Sequence, residues 1–216
     1  MEERLIFMFE KFLELKPSTI LVVAGLLILP LVFLLLKRGD KSFNFTTKML
    51  VYGSLCVALA FVLSYIRLFR LPQGGSITLA SMLPILIYAI MFGPIAGIIA
   101  GLALGFLQLM QDPYIVHWAQ FMLDYPLSYG ALGLAGLYRR NFIIGGSIGV
   151  FFRFLMNFIA GVIFWGEFTP EGFGVYTWSI VYNGSFIAVD ALICVFLAYI
   201  PQVKSALNQV RRNHSA

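Results

Sequence analysis

The 216-residue sequence predicts an all-α integral membrane protein, and three observations predict it. Hydrophobic residues make up 60% of the chain and charged residues 12%, with a mean hydropathy of +0.89. Soluble domains sit near half apolar and a quarter charged. Apolar runs recur at lengths close to the ~20 residues that carry a helix across a hydrocarbon core, where only a helix or a closed barrel satisfies its own backbone. Lys and Arg collect between alternate runs, the asymmetry that orients multi-pass proteins.

The first run, ILVVAGLLILPLVFLLLK, spans residues 20–37. Its flank MEERLIFMFEKFLELK is mixed in charge and no small-residue cleavage site follows, so it predicts a retained helix and not a signal peptide. KRGDKSFNFTTK then reads as a cytosolic linker. Six further segments follow, at about residues 47–66, 79–92, 94–110, 118–138, 142–164 and 178–200. The expected organisation is an N-terminal segment over 1–45 with an extra transmembrane helix, a six-helix membrane domain over 46–200, and a basic cytosolic tail over 201–216. Two longer connections, RLFRLPQGGSIT (67–78) and WGEFTPEGFGVYT (165–177), carry the Pro and Gly of ordered caps.

Lys37, Arg38, Lys41, Lys48, Arg139, Arg140, Lys204, Arg211 and Arg212 fall on one side of this topology with a single acid, Asp40, which makes that side cytoplasmic. Both longer loops fall on the other side, with the acids Glu2, Glu3, Glu10, Glu14, Asp112, Glu167 and Glu171 and the bases Arg4, Lys11, Lys16, Arg67 and Arg70. The formal charge of +5 follows from that bias and gives no support to nucleic-acid binding. Cys56 and Cys194 lie in apolar runs and read as packed thiols, with no metal-ligand spacing and no sign of a cofactor.

Gly93, Gly97, Gly101 and Gly105 recur every four residues, which predicts a helix face where a neighbouring backbone comes close. Small residues step by four in the first core helix as Ser54 to Ala58 and as Cys56 through Ala60 to Ser64, a surface for packing or for another membrane protein.

Four strongly polar residues sit at membrane depth: Asp124, Arg153, Asn157 and Asp190. A buried charge there costs about 2.5–3.5 kcal/mol on insertion scales and turns toward a partner or a wet cavity. Arg153 and Asn157 share a helical face, as do Asn183 and Asp190. One reading is a register-fixing pair of Arg153 with Asp190 or Asp124. The other is a pocket, because Tyr125, Tyr129, Trp165, Tyr176, Trp178 and Tyr182 gather at the outer end near Asp124. A carboxylate and amides among aromatic faces suit a flat, cationic, nitrogen-rich ligand.

No G-x-x-x-x-G-K-[ST], G-x-S-x-G, H-E-x-x-H or C-x-x-C occurs. The chain does not energise transport through a P-loop of its own. An intramembrane enzyme using Asp124 and Arg153 remains a second class of reading, although no nucleophile accompanies them.

LPQGGSITLASMLPI (71–85), WAQFMLDYPLSYGALGLAG (118–136), RFLMNFIAGVIFWGEFTPEG (153–172) and YTWSIVYNGSF (176–186) together resemble the thiamine-specific substrate-binding (S) component of energy-coupling factor transporters. The resemblance covers about residues 46–200. It implies a six-helix bundle, here with an extra N-terminal helix, that binds thiamine or a close pyrimidine or cationic heterocycle near the outer face under the loop between the first two helices. It implies no enzymatic activity, and as partners a membrane T component and two ATPase subunits in the plasma membrane. Carried over by position, the ligand set is Asp124, Tyr125, Arg153, Asn157, Trp165, Trp178 and Asn183, and Ser54, Cys56, Ala58 and Ala60 resemble the surface that meets the T component. Three positions depart from the family pattern: Asp124 stands where Glu is usual, Asn157 where His is usual, and Trp178 where Tyr is usual. An S component for a different small vitamin is the alternative within transport.

Overall fold

A computed structural model of the chain describes residues 45–111, 113–201 and 203–205. The expected N-terminal helix, most of its linker, Asp112 and the end of the basic tail lie outside the described residues.

Six helical segments run through the described chain. Helix α1 spans Thr47–Tyr65, capped where Thr46 Oγ1 accepts the Met49 N–H at 3.2 Å. A short antiparallel hairpin follows, β1 Arg67–Arg70 and β2 Ser76–Thr78, in the register Arg67↔Thr78, Phe69↔Ile77 and Arg70↔Ser76. A 3₁₀ turn at Pro72–Gly74 joins the strands, with Gln73 and Gly74 both at positive φ. The predicted cap over 67–78 is therefore this hairpin.

Helix α2 (Leu83–Phe92) and helix α3 (Pro94–Gln108) meet at Gly93, whose φ of 96° turns the chain between them. Ala80, at φ 57°, holds 79–82 out of the helix, so α2 is shorter than the apolar run that predicted it. Ten residues rise about 15 Å, half a bilayer core. This short helix is instead the centre of the packing: Ile85, Leu86 and Ala89 bury against Ala60, Leu104, Leu132, Ala135 and Cys194.

Residues 118–137 form a fourth helical segment, α4, with four successive pitches: α at Trp118–Met122, π at Leu123–Leu127, α at Ser128–Ala131 and 3₁₀ at Leu132–Leu137. Pro126 sits inside the π turn, where a residue without an N–H forces the ladder to widen. Helix α5 spans Phe142–Phe164 behind an Asn141 cap that accepts the Ile143 N–H at 2.8 Å. Helix α6 spans Val175–Tyr199, opening three residues before its predicted start, so that Tyr176 and Trp178 lie in its first turn.

Among the described residues, α1, α5 and α6 are long and apolar enough to cross a membrane. On α1, Leu50, Val51, Leu55, Leu59 and Val62 are each more than half exposed, an outer face suited to hydrocarbon. The glycine stripe performs the expected packing from Gly97 to Gly105, whereas a Cβ on Gly93 would meet nothing within 4 Å. A Cβ on Gly101 would stand 2.9 Å from Gly130 Cα, and one on Gly105 would stand 2.7 Å from Pro126 Cα, so α3 and α4 touch backbone to backbone.

The two small-residue stripes of α1 separate. Ser54 and Ala58 are exposed, Cys56 is half-buried against the core, and Ala60 is fully buried inside it. Ala60 thus corrects its expected place on a docking surface: it packs the interior of the bundle. The reason is rotational, since positions two apart on a helix point about 200° apart.

Candidate ligand-binding site

A cavity of about 790 Å³, its open mouth included, lies between α4, α5, α6 and the hairpin turn. All seven residues expected at a ligand site line it: Asp124, Tyr125, Arg153, Asn157, Trp165, Trp178 and Asn183. Local structure explains how they converge. The π turn at Pro126 holds Asp124 and Tyr125 in the widened part of α4. Arg153 and Asn157 share one face of α5, and Trp165 follows its last turn. Gly161 lets α6 approach there, for a Cβ on it would stand 2.9 Å from Asn183 Nδ2.

Asp124 is half-buried and already holds two donors. Gln120 Nε2, four residues earlier, donates to Asp124 Oδ2 at 2.7 Å, and the Trp165 indole donates to the same carboxylate. Gln120 also ties down the approach to α4, donating to the Tyr114 carbonyl at 3.1 Å and accepting from Val116 N at 3.2 Å. Tyr125 Oη accepts the Tyr114 N–H at 2.9 Å. The carboxylate therefore orients one aromatic wall, Trp165, whose ring stands 5.2 Å from that of Tyr114.

Arg153 and Asn157 are each 6% exposed. The Arg153 guanidinium lies 4.2 Å over the Tyr129 ring, but among the described residues its Nε and Nη1 have no hydrogen-bond partner, and neither does Asn157 Oδ1. Among the described residues no ion pair joins Arg153 to Asp124 or Asp190, so the reading as a register-fixing pair gives way; Asp190 balances its charge only at longer range. Asp190 itself lies outside the cavity and accepts from Thr78 Oγ1 at 3.1 Å to each oxygen. Unpaired buried polar atoms are rare, and these three belong to residues that line the cavity.

Several parts of the wall were not among the expected ligand set. Gln120 could have been found from its position one turn before Asp124 on the same face. Ser179 joins through its bonds to the Phe158 carbonyl at 2.8 Å and to Asn183 at 3.2 Å. The hairpin turn from Gln73 to Ser76 closes the top, and Tyr182 reaches it from α6; no local signal pairs residues so far apart in the chain.

Comparison with known proteins places these features in a family. Residues 50–209 match the sequence family described as thiamine transporter protein. The thiamine transporter ThiT of Bacillus subtilis (strain 168) is 27% identical, the alignment covering 59% of this chain and 74% of that protein. ThiT of Lacticaseibacillus paracasei is 29% identical over 56% of this chain and 73% of its own length. A solved structure of ThiT from Listeria monocytogenes superposes with a TM-score of 0.63 at 27% identity, covering 74% of this chain and 96% of that one. With this match over most of its length, the chain is a multi-pass membrane protein of the thiamine transporter family, a transport protein and not an enzyme.

Proposed function

We propose that this chain is the thiamine-binding S component of an energy-coupling factor transporter and that the cavity is its vitamin site. The observation that carries the reading is a carboxylate, Asp124, set among the rings of Tyr125, Trp165 and Trp178 in one cavity. Thiamine offers a neutral aminopyrimidine and a cationic thiazolium. The amino group donates to Asp124 in place of the indole or alongside it, and the thiazolium lies on the aromatic faces, a contact worth up to about 2 kcal/mol once desolvated. Asn157 Oδ1 takes a ligand donor, and Arg153 offers the hydrogens of its Nε and Nη1 to ligand oxygen. Asn183 spends one amide hydrogen on the Ser179 carbonyl at 3.0 Å, so it serves the site as a held wall with its carbonyl toward the ligand.

The site faces the outside and the basic segments face the cytoplasm, in keeping with the positive-inside bias. Energy comes from a T component with two ATPases, since the sequence holds no P-loop. Within the α1 stripe, Ser54 and Ala58 are the small residues available to meet the T component.

Thermal unfolding of the purified chain with and without thiamine tests the reading, because a ligand bound to the folded state alone raises the transition by mass action. A rise with thiamine at micromolar concentration is expected. A rise with an isolated aminopyrimidine or another vitamin and none with thiamine would replace it with a relative as ligand.

A further inference from the structure

Two opposite charges, Asp124 and Arg153, line one cavity, and among the described residues neither pairs with the other. Gln120 and the Trp165 indole hold the carboxylate, whereas the guanidinium lies over the Tyr129 ring, further along α4 than Asp124. The five residues from Asp124 to Tyr129 rise roughly 7 Å as a helix, so the two charges mark separate stations of the wall. Arg153 is buried, and among the described residues its Nε and Nη1 make no hydrogen bond. The Tyr129 ring attracts the charge without accepting those hydrogens in a hydrogen bond. Asp190 offsets the charge through space, but it lies outside the cavity and both its oxygens accept from Thr78. It supplies a countercharge and no acceptor.

A cation placed at Asp124 stands close to this uncovered guanidinium. Like charges at such a distance repel, and a protein cavity screens them less than bulk water does. A neutral hydroxyl on the ligand gives Arg153 one acceptor and leaves the repulsion in place. An anion removes both deficits, because it accepts the guanidinium hydrogens with charge-assisted strength and attracts the neighbouring cation. From this arrangement we infer that Arg153 seats a small anion beside the cationic ligand, either a separate inorganic ion or an anionic group that the ligand carries, such as the phosphate of a thiamine ester. A guanidinium suits the task, since it stays charged when buried and presents its donors in one plane. The inference rests on the cavity being the thiamine site, and its test separates the two.

Tryptophan fluorescence titrations of the full-length chain in detergent, at one ionic strength throughout, provide that test. With thiamine, replacing bulky gluconate by chloride or inorganic phosphate is expected to lower Kd by about tenfold, the low end for a hydrogen bond to a charged group. Arg153→Met is expected to remove the response, and Arg153→Lys, which keeps the charge, to retain part of it. That result assigns the seat to a separate ion. A Kd for thiamine monophosphate about tenfold below that of thiamine in gluconate, insensitive to added anion and raised in Arg153→Met, assigns the seat to the ligand's own phosphate. Equal Kd values for thiamine in all three anions, with no gain for the monophosphate, would overturn the inference. An anion response that survives in Arg153→Met would overturn it too, because the ion then binds elsewhere. If neither form of the vitamin binds the unmodified chain, the ligand reading falls, and thermal unfolding with inorganic phosphate alone decides the seat: a rise that Arg153→Met removes supports it, and no rise overturns it.

Discussion

Gln120 Nε2 donates to Asp124 Oδ2 at 2.7 Å from one turn away on the same helix. A fully buried amide thus fixes the one carboxylate that the described residues bring to the cavity wall and, through its second bond to the Tyr114 carbonyl, fixes it relative to the segment leading into α4. Gln120→Met keeps the length of the side chain and removes all three of its hydrogen bonds. Thiamine affinity is expected to fall by about 1 kcal/mol, near the net worth of one ordinary hydrogen bond, as read by isothermal titration calorimetry. An unchanged affinity would show that the carboxylate is held well enough without it.

Arg153 makes an opposite prediction for stability and binding. Its Nε and Nη1 have no hydrogen-bond partner among the described residues, so replacing it by Met removes a desolvation cost that offsets the lost contact with the Tyr129 ring and the lost long-range countercharge of Asp190. Arg153→Met is expected to leave the unfolding temperature equal or higher while weakening thiamine by about 1–3 kcal/mol, because hydrogen bonds from a charged donor to the ligand are lost. A drop in unfolding temperature with affinity intact would assign Arg153 to the fold.

The glycines of α3 and α6 separate by what surrounds them. Gly101→Ala places a methyl group 2.8 Å from the Tyr129 carbonyl carbon, backbone that cannot move alone. It should destabilise by about 1–3 kcal/mol, as overpacking does. Gly184→Ala meets nothing nearer than Phe154 at 3.7 Å and lies inside α6, so it should be neutral or stabilise by up to about 1 kcal/mol. Thermal unfolding in detergent compares the two.

Most of the helix plan was legible because apolar runs and breakers act locally. Thr46 and Asn141 cap where polar residues precede apolar runs, and Pro94 and Pro126 stand where helices begin or widen. The shortness of α2 was not legible: Ala80 adopts a positive φ in a run that is apolar throughout. The seven residues expected at a ligand site were chosen on their chemistry and family resemblance, and all of them line the one cavity described above. Ala60 was misplaced because a four-residue repeat tells that positions share a face without telling which face is inward. Tyr182 stood in the aromatic cluster at the outer end, but its bonds to Pro72 and Gly75 cross more than a hundred residues of chain, and only the folded bundle brings those groups together.

The central claim is that the Asp124 carboxylate receives a cationic vitamin, and titration calorimetry of thiamine into the Asp124→Asn variant beside the unmodified protein tests it most directly. The account predicts a loss of about 1–3 kcal/mol, roughly five- to a hundredfold in Kd, with the variant still folded and the Trp165 wall intact. Equal affinity in the two proteins would contradict it.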